Sequence, residues 1–263
     1  MNLSKTLVIS GGSSGIGKAT ADLFAKKGYR VFELSRTGQD RNGVQHVTCD
    51  VTLEDDCKRA LDEIMKQTDS LDVVICNAGW TISGPIEFAT REDVDCLMNV
   101  NFYGALYLTQ AVLPYMRAQR HGHLLFTSSV GAPLPIPYQA FYSVSKAALN
   151  AMALALRNEV HEFGIKVACL LPGDVQTNIT VKRKRNNTGL DIYTNADSAI
   201  DHMANDERNG MEPEQMARIF WRMANSRHPK AFYIGGGLYK FLCFLQKILP
   251  TSLTNYIEGR LYS

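Results

Sequence analysis

The chain lacks the marks of an unusual protein. Its six cysteines form no C-x-x-C pair, and Cys49, Cys76 and Cys169 each sit inside an apolar run. Neither a disulfide framework nor a metal site is therefore expected; the thiols read as small hydrophobes in a reducing compartment, and the expected location is cytoplasmic. Charge of one sign is lacking too: 28 Lys+Arg stand against 26 Asp+Glu, and a net charge of +2 gives no reason to expect a nucleic-acid partner. No apolar stretch approaches the ~18 residues that would span a bilayer. The first residues run straight into Thr6 and the glycines beyond, too soon for a signal peptide. Repeats, low-complexity tracts and Pro/Ser-rich linkers are also missing. With 263 residues, 45% of them hydrophobic, the chain is long enough to bury a full core as one unit spanning 1–263.

What is present is an alternation. Short apolar runs at 6–10, 30–34, 45–49, 71–76, 123–128, 166–171 and 231–234 are separated by segments with apolar residues three and four apart, at 16–27, 53–68, 91–119 and 142–162. Strands that are apolar throughout and alternate with helices imply an α/β fold. Its parallel sheet is doubly wound, with seven strands in the order 3-2-1-4-5-6-7. The stretch 37–44 leaves little room for a crossover helix.

The first strand enters Ser10, Gly11, Gly12, Ser13, Ser14, Gly15, Ile16 and Gly17, followed at once by a helix. Glycines there admit positive φ and close backbone approach, and a helix start offers free N–H groups to a pyrophosphate. The second strand ends in Ser35 and Arg36, a hydroxyl and a guanidinium that suit a 2′-phosphate, so NADP(H) is expected over NAD(H). Arg36 as a solvated loop residue is the plain alternative. Glu33 is nearby, but strand alternation sets it aside. Asp50 and Val51 follow the third strand, and Asn77, Ala78 and Gly79 follow the fourth, both at the carboxyl edge where such folds bind ligands. Asp50 fits a contact to the adenine or a cap on the helix near Leu53.

Tyr142 and Lys146 are four apart on one helix face, and a neighbouring ammonium is expected to pull the phenol towards neutrality as an acid/base. Ser129, at the end of the fifth strand, is placed to hold a substrate oxygen; Ser128 is its competitor. Asn101, polar among apolar neighbours, either bends the helix locally or holds a water behind Lys146.

Together these motifs, with Pro172, Gly173, Asp174, Val175, Gln176 and Thr177, resemble the short-chain dehydrogenase/reductases from about Lys5 to Ile234, with Ser10 where the family more often has Thr. The resemblance implies a Rossmann-type fold and an Asn101, Ser129, Tyr142, Lys146 tetrad. In it Tyr142 exchanges a proton with the substrate oxygen, Lys146 bonds the nicotinamide ribose, and Asn101 anchors a relay water. Pro172, Gly173, Val175 and Thr177 would hold the nicotinamide amide and diphosphate. A homodimer or homotetramer built on the helices at 91–119 and 142–162 is expected by the same likeness. Motifs around Asn101 and Ser129 look like the 17-beta-hydroxysteroid and retinol dehydrogenase branch, and the tail is also similar to acyl-dihydroxyacetone-phosphate reductases. The expected reaction is ketone–alcohol interconversion on a lipophilic molecule, first a hydroxysteroid. The rival from another class is a silent NADP-binding regulator.

A substrate loop is expected at about 178–210. Its run of cations at 182–185 is either solvated or an attractant for an anionic substrate. Ile179, Leu190, Ile192, Tyr193 and Met203 suggest one apolar pocket wall, or else ordinary packing, and residues 133–138 another wall. In the tail, 237–263, Leu238, Phe241, Leu242, Leu245, Ile248 and Leu249 share a helical face, expected to pack on the core or a partner. Peripheral membrane contact, with Lys240, Lys247 and Arg260 on its flank, is the alternative.

Overall fold

In the computed structural model, which describes residues 4–261, seven strands form one parallel sheet. They are β1 (Thr6–Ser10), β2 (Arg30–Ser35), β3 (Val44–Thr48), β4 (Val73–Cys76), β5 (Gly122–Thr127), β6 (Ile165–Leu171) and β7 (Phe232–Ile234). The order across the sheet is β3-β2-β1-β4-β5-β6-β7, as the alternation implied. All five residues of β1 are buried because helices cover both faces. Side chains two apart share a face, so Leu7 and Ile9 enter one core and Val8 the other.

The Leu7 face carries α1 (Gly15–Lys26) and α7 (Pro213–Ala224), whose Phe24 and Phe220 are fully buried there. The Val8 face carries α2 (Glu54–Met65), α4 (Gly104–Gln119) and α5 (Ala140–Glu159). β1 pairs with β2 on one side and with β4 on the other, so the winding reverses beside β1 and opens a crevice at the carboxyl ends. No helix joins β2 to β3, as the short stretch between them required.

One expected element is divided. The periodic stretch 91–119 comprises α3 (Arg91–Met98), a π turn (Asn99–Tyr103) and α4, and Asn101 sits inside the π turn. The loop at 178–210 contributes α6 (Ala196–Arg208) and a two-residue strand, Lys184–Arg185, that pairs with Ile82–Ser83 in a small separate ribbon. The tail forms α8 (Gly237–Ile248) and α9 (Thr251–Leu261); its last two residues, 262–263, and the first three of the chain lie outside the described residues. Among the described residues no helix is long and apolar enough to cross a membrane.

Candidate active site

The carboxyl ends of β1 and β4 are tied together by one hydroxyl. Ser10 Oγ accepts the N–H groups of Asn77 at 2.9 Å and Ala78 at 3.0 Å. Asn77 donates back to the carbonyl of Ser10 and accepts from Thr127 Oγ1 at 2.9 Å, so three strand ends are joined around it. Gly11 at φ +65° and Gly15 at φ +52° take left-handed conformations that side chains resist. Ser14, extended, precedes α1 without a side-chain cap, and the first turn holds no acidic residue. The N–H groups and positive dipole end of α1 are therefore open to an anion. Gly17 serves packing instead, since a Cβ there would stand 2.2 Å from the Gly11 carbonyl and 2.5 Å from Asn77 Nδ2. It was expected among the cofactor contacts; it lies beneath the turn and lets helix and strand approach.

A cleft of about 530 Å³ runs from this turn along the sheet edge. At one end it is lined by Ser35, Arg36, Asp50 and Val51, and along its middle by Gly11, Ser13, Ser14, Gly15, Ile16, Asn77, Ala78 and Gly79. Arg36 is exposed. Glu33 shares the Ser35 face but does not line the cleft: it is fully buried, with Oε1 2.6 Å from His46 Nδ1 and also accepting from Ser35 Oγ at 3.3 Å. Asp50 does not cap α2: its Oδ1 accepts from Thr52 N and Oγ1, while Asp56 of the first turn accepts from Asp50 N. Arg41, which no motif marked, donates to the Gly12 carbonyl at 2.7 Å and to Asp22 at 2.8 Å, buttressing the glycine turn.

At the other end stand Ser129, Tyr142, Lys146, Pro172, Gly173, Val175 and Thr177. The α5 spacing sets Lys146 Nζ 5.7 Å from the centre of the Tyr142 ring. Ser129 lies beside Tyr142 in the cleft lining and accepts from Gly131 N at 3.0 Å. Ser128 turns inward and donates to the Lys146 carbonyl at 3.3 Å, which separates the two neighbouring serines. Lys146 Nζ donates to the Thr127 carbonyl at 2.9 Å, and burial pushes its ammonium down to about 8. Burial also pushes the Tyr142 phenol above its ordinary value, against the opposing pull of the Ser129 hydroxyl. Glu207 and Asp174 raise it further and Arg183 lowers it. The expectation that Lys146 would bring this phenol towards neutrality is thus corrected: desolvation moves it the other way.

Asn101 does not line the cleft. Its Oδ1 accepts from Trp80 N at 2.8 Å, and its Nδ2 donates to the Trp80 carbonyl at 2.9 Å and to Ser145 Oγ at 3.0 Å. Ser145 in turn donates to the Tyr142 carbonyl at 2.7 Å. The amide expected to bend its helix locally or to anchor a water is committed to holding α5 against the Trp80 loop.

Around Tyr142 the walls are apolar: Leu134, Pro135 and Ile136 on one side, Trp80, Ile179 and Leu242 on others. Leu190, Ile192, Tyr193 and Met203, expected in the wall, are elsewhere. Ile192 is 65% exposed, Tyr193 packs on Phe88 and donates to Glu87, and Met203 is buried beneath Gln139. Three of the four cations at 182–185 are structural ties: Arg183 to Glu207, Lys184 to Asp93, Arg185 to Asp197 and Asp201. Lys182 lines the cleft, with no ion pair among the described residues. Tyr239 and Leu242 of α8 complete the wall; the Tyr239 ring covers Gly173 and its hydroxyl donates to Asp174.

Against known proteins, residues 5–188 match the family model described as short chain dehydrogenase. The chain is 36% identical over 255 residues to a 3-ketodihydrosphingosine reductase from Bacteroides thetaiotaomicron, covering 95% of each. Among solved structures, a short-chain dehydrogenase from Streptomyces avermitilis superposes with a TM-score of 0.84 at 24% identity, over 99% of this chain and 98% of that one. A short chain dehydrogenase/reductase from Burkholderia phymatum in complex with NAD gives 0.81 at 19% identity, over 92% of each chain. ElxO with NADP bound gives 0.73 at 22% identity, over 90% of this chain and 99% of that one.

Proposed function

The chain belongs to the short-chain dehydrogenase family, and from that premise we propose that it is an NADPH-dependent reductase converting a ketone on a long-chain lipid to the secondary alcohol. The observation that carries this reading is the meeting of Ser129, Tyr142 and Lys146 at the apolar end of a cleft whose other end is a glycine turn. The open α1 N-terminus fits a diphosphate, and Ser35 with the exposed Arg36 fits a ribose phosphate, Glu33 being buried against His46 and outside the cleft lining. When bound, the nicotinamide supplies the hydride.

The chain's own part is proton delivery and orientation. Tyr142, held above the usual phenol range, keeps its proton at neutral pH and donates it to the carbonyl oxygen, while Ser129 holds that oxygen in place. Lys146, charged below about 8, would orient the nicotinamide ribose. The apolar walls suit an alkyl chain, and the Bacteroides relative is named for a keto-lipid. A hydroxysteroid, a retinoid or an acyl-dihydroxyacetone phosphate belongs to the same lipophilic class.

Purified protein should oxidise NADPH faster than NADH, and a 3-keto long-chain base should outpace a steroid ketone, retinal and acyl-dihydroxyacetone phosphate. Tyr142→Phe should lower kcat by at least about a hundredfold while leaving NADPH binding intact. NADPH binding with no oxidation across the whole panel would instead establish the silent regulator.

A further inference from the structure

Seven of the fourteen exposed large apolar side chains of the described chain lie in its last two helices. On α8, Leu238, Phe241, Phe244 and Ile248 are 65%, 56%, 58% and 60% exposed. At 100° per residue they form one continuous stripe. On α9, Leu253, Tyr256 and Ile257 extend the same exposed character. The sequence pattern predicts packing on the core or a partner for Leu238, Phe241, Leu242, Leu245, Ile248 and Leu249. Among the described residues Leu242, Leu245 and Leu249 are half-buried, while Leu238, Phe241 and Ile248 stay exposed. The opposite face of α8 is held by the buried Cys243 and by Gln246, bonded to the Pro133 carbonyl.

The charges beside the stripe discriminate between occupants. From Gly237 to Ile257 there is no Asp or Glu, while Lys240 and Lys247 are exposed along one edge of the stripe and Arg260 lies over Tyr256. A two-fold pairing of α8 with a second copy would set Lys240 and Lys247 against cations with no carboxylate on that helix to meet them. An anionic lipid surface meets both features at once, taking the apolar side chains into the acyl boundary and the cations among the headgroups. With 12 residues, α8 can lie in such an interface and cannot cross it.

We propose that α8 and α9 dock the enzyme on an anionic membrane surface, setting the wall formed by Tyr239 and Leu242 beside the lipid from which an apolar substrate would enter. Docking does not depend on the identity of that substrate.

Flotation of the wild-type protein with vesicles tests it. The protein should rise with phosphatidylcholine–phosphatidylglycerol vesicles, and less so as salt is raised. Phe241→Asp with Phe244→Asp should weaken partitioning by at least about tenfold. That variant should still reduce a water-soluble ketone at the wild-type rate. Lys240→Glu with Lys247→Glu should lose the preference for anionic vesicles, and it serves alone if the phenylalanine variant does not fold. Wild-type protein that stays at the bottom of the gradient with both vesicle types overturns the proposal. So does a dimer that ignores vesicles and falls to monomers on the phenylalanine change. No turnover of the soluble ketone by wild-type protein that rises with the vesicles would instead count against the reductase reading and leave docking upheld.

Discussion

Lys146 puts an ammonium almost wholly out of water and gives it a carbonyl, not a carboxylate, for a partner. Unfolded it would titrate near 10.5; folded, burial brings it to about 8. At roughly 1.4 kcal/mol per pH unit, the native state carries a handicap of about 3 kcal/mol. Below pH 8 the group is charged in both states and the handicap is complete. Between about 8 and 10.5 the unfolded chain binds more protons, so stability rises with pH and the handicap fades. Lys146→Met should therefore raise the urea midpoint at pH 7, with a gain that shrinks as pH approaches 10.5, and should cripple turnover throughout. A midpoint that falls equally at both pH values would refute the assignment of a strained charge. The four-residue spacing made the Tyr142–Lys146 pair legible. Its electrostatics were not, because desolvation is imposed by β5, β6 and the Trp80 loop, none adjacent in sequence.

At the scale of elements, alternating apolar runs were enough to read the strands and their order, since only covered parallel strands are apolar throughout. The division of 91–119 was hidden because the apolar spacing continues across it. What divides that stretch is a π turn around Asn101, whose amide finds its partners 21 and 44 residues away. Asn101→Ala leaves the half-buried main-chain N–H and carbonyl of Trp80 without their partner and should cost about 1–3 kcal/mol in urea unfolding. Because Ser145 bridges Asn101 to the Tyr142 carbonyl, kcat should fall with little change in KM. Unchanged stability together with unchanged kcat would show that this strut holds nothing. The cations at 182–185 were likewise visible as charges but not as ties, since their carboxylate partners come from α3 and α6.

At the scale of the molecule, the nucleotide end of the cleft was readable because it is built from contiguous turns, each following a strand. The substrate end was only half readable. Leu134, Pro135, Ile136 and Ile179 were anticipated, whereas Trp80, Tyr239 and Leu242 arrive through tertiary folding of loops and tail. Tyr239 roots the last long helix in the turn formed by Gly173 and Asp174, the same turn expected to hold the nicotinamide. Two ligands meeting through one shared joint must obey reciprocity: whatever factor lipid contact imposes on dinucleotide affinity, dinucleotide must impose on lipid contact. Fluorescence titration of NADPH with and without vesicles, set beside flotation with and without NADPH, should give two equal ratios differing from one. Tyr239→Phe, which cuts the hydroxyl link to Asp174, should bring both ratios closer to one. The final helices would then report, from outside, whether the reducing cofactor is in place.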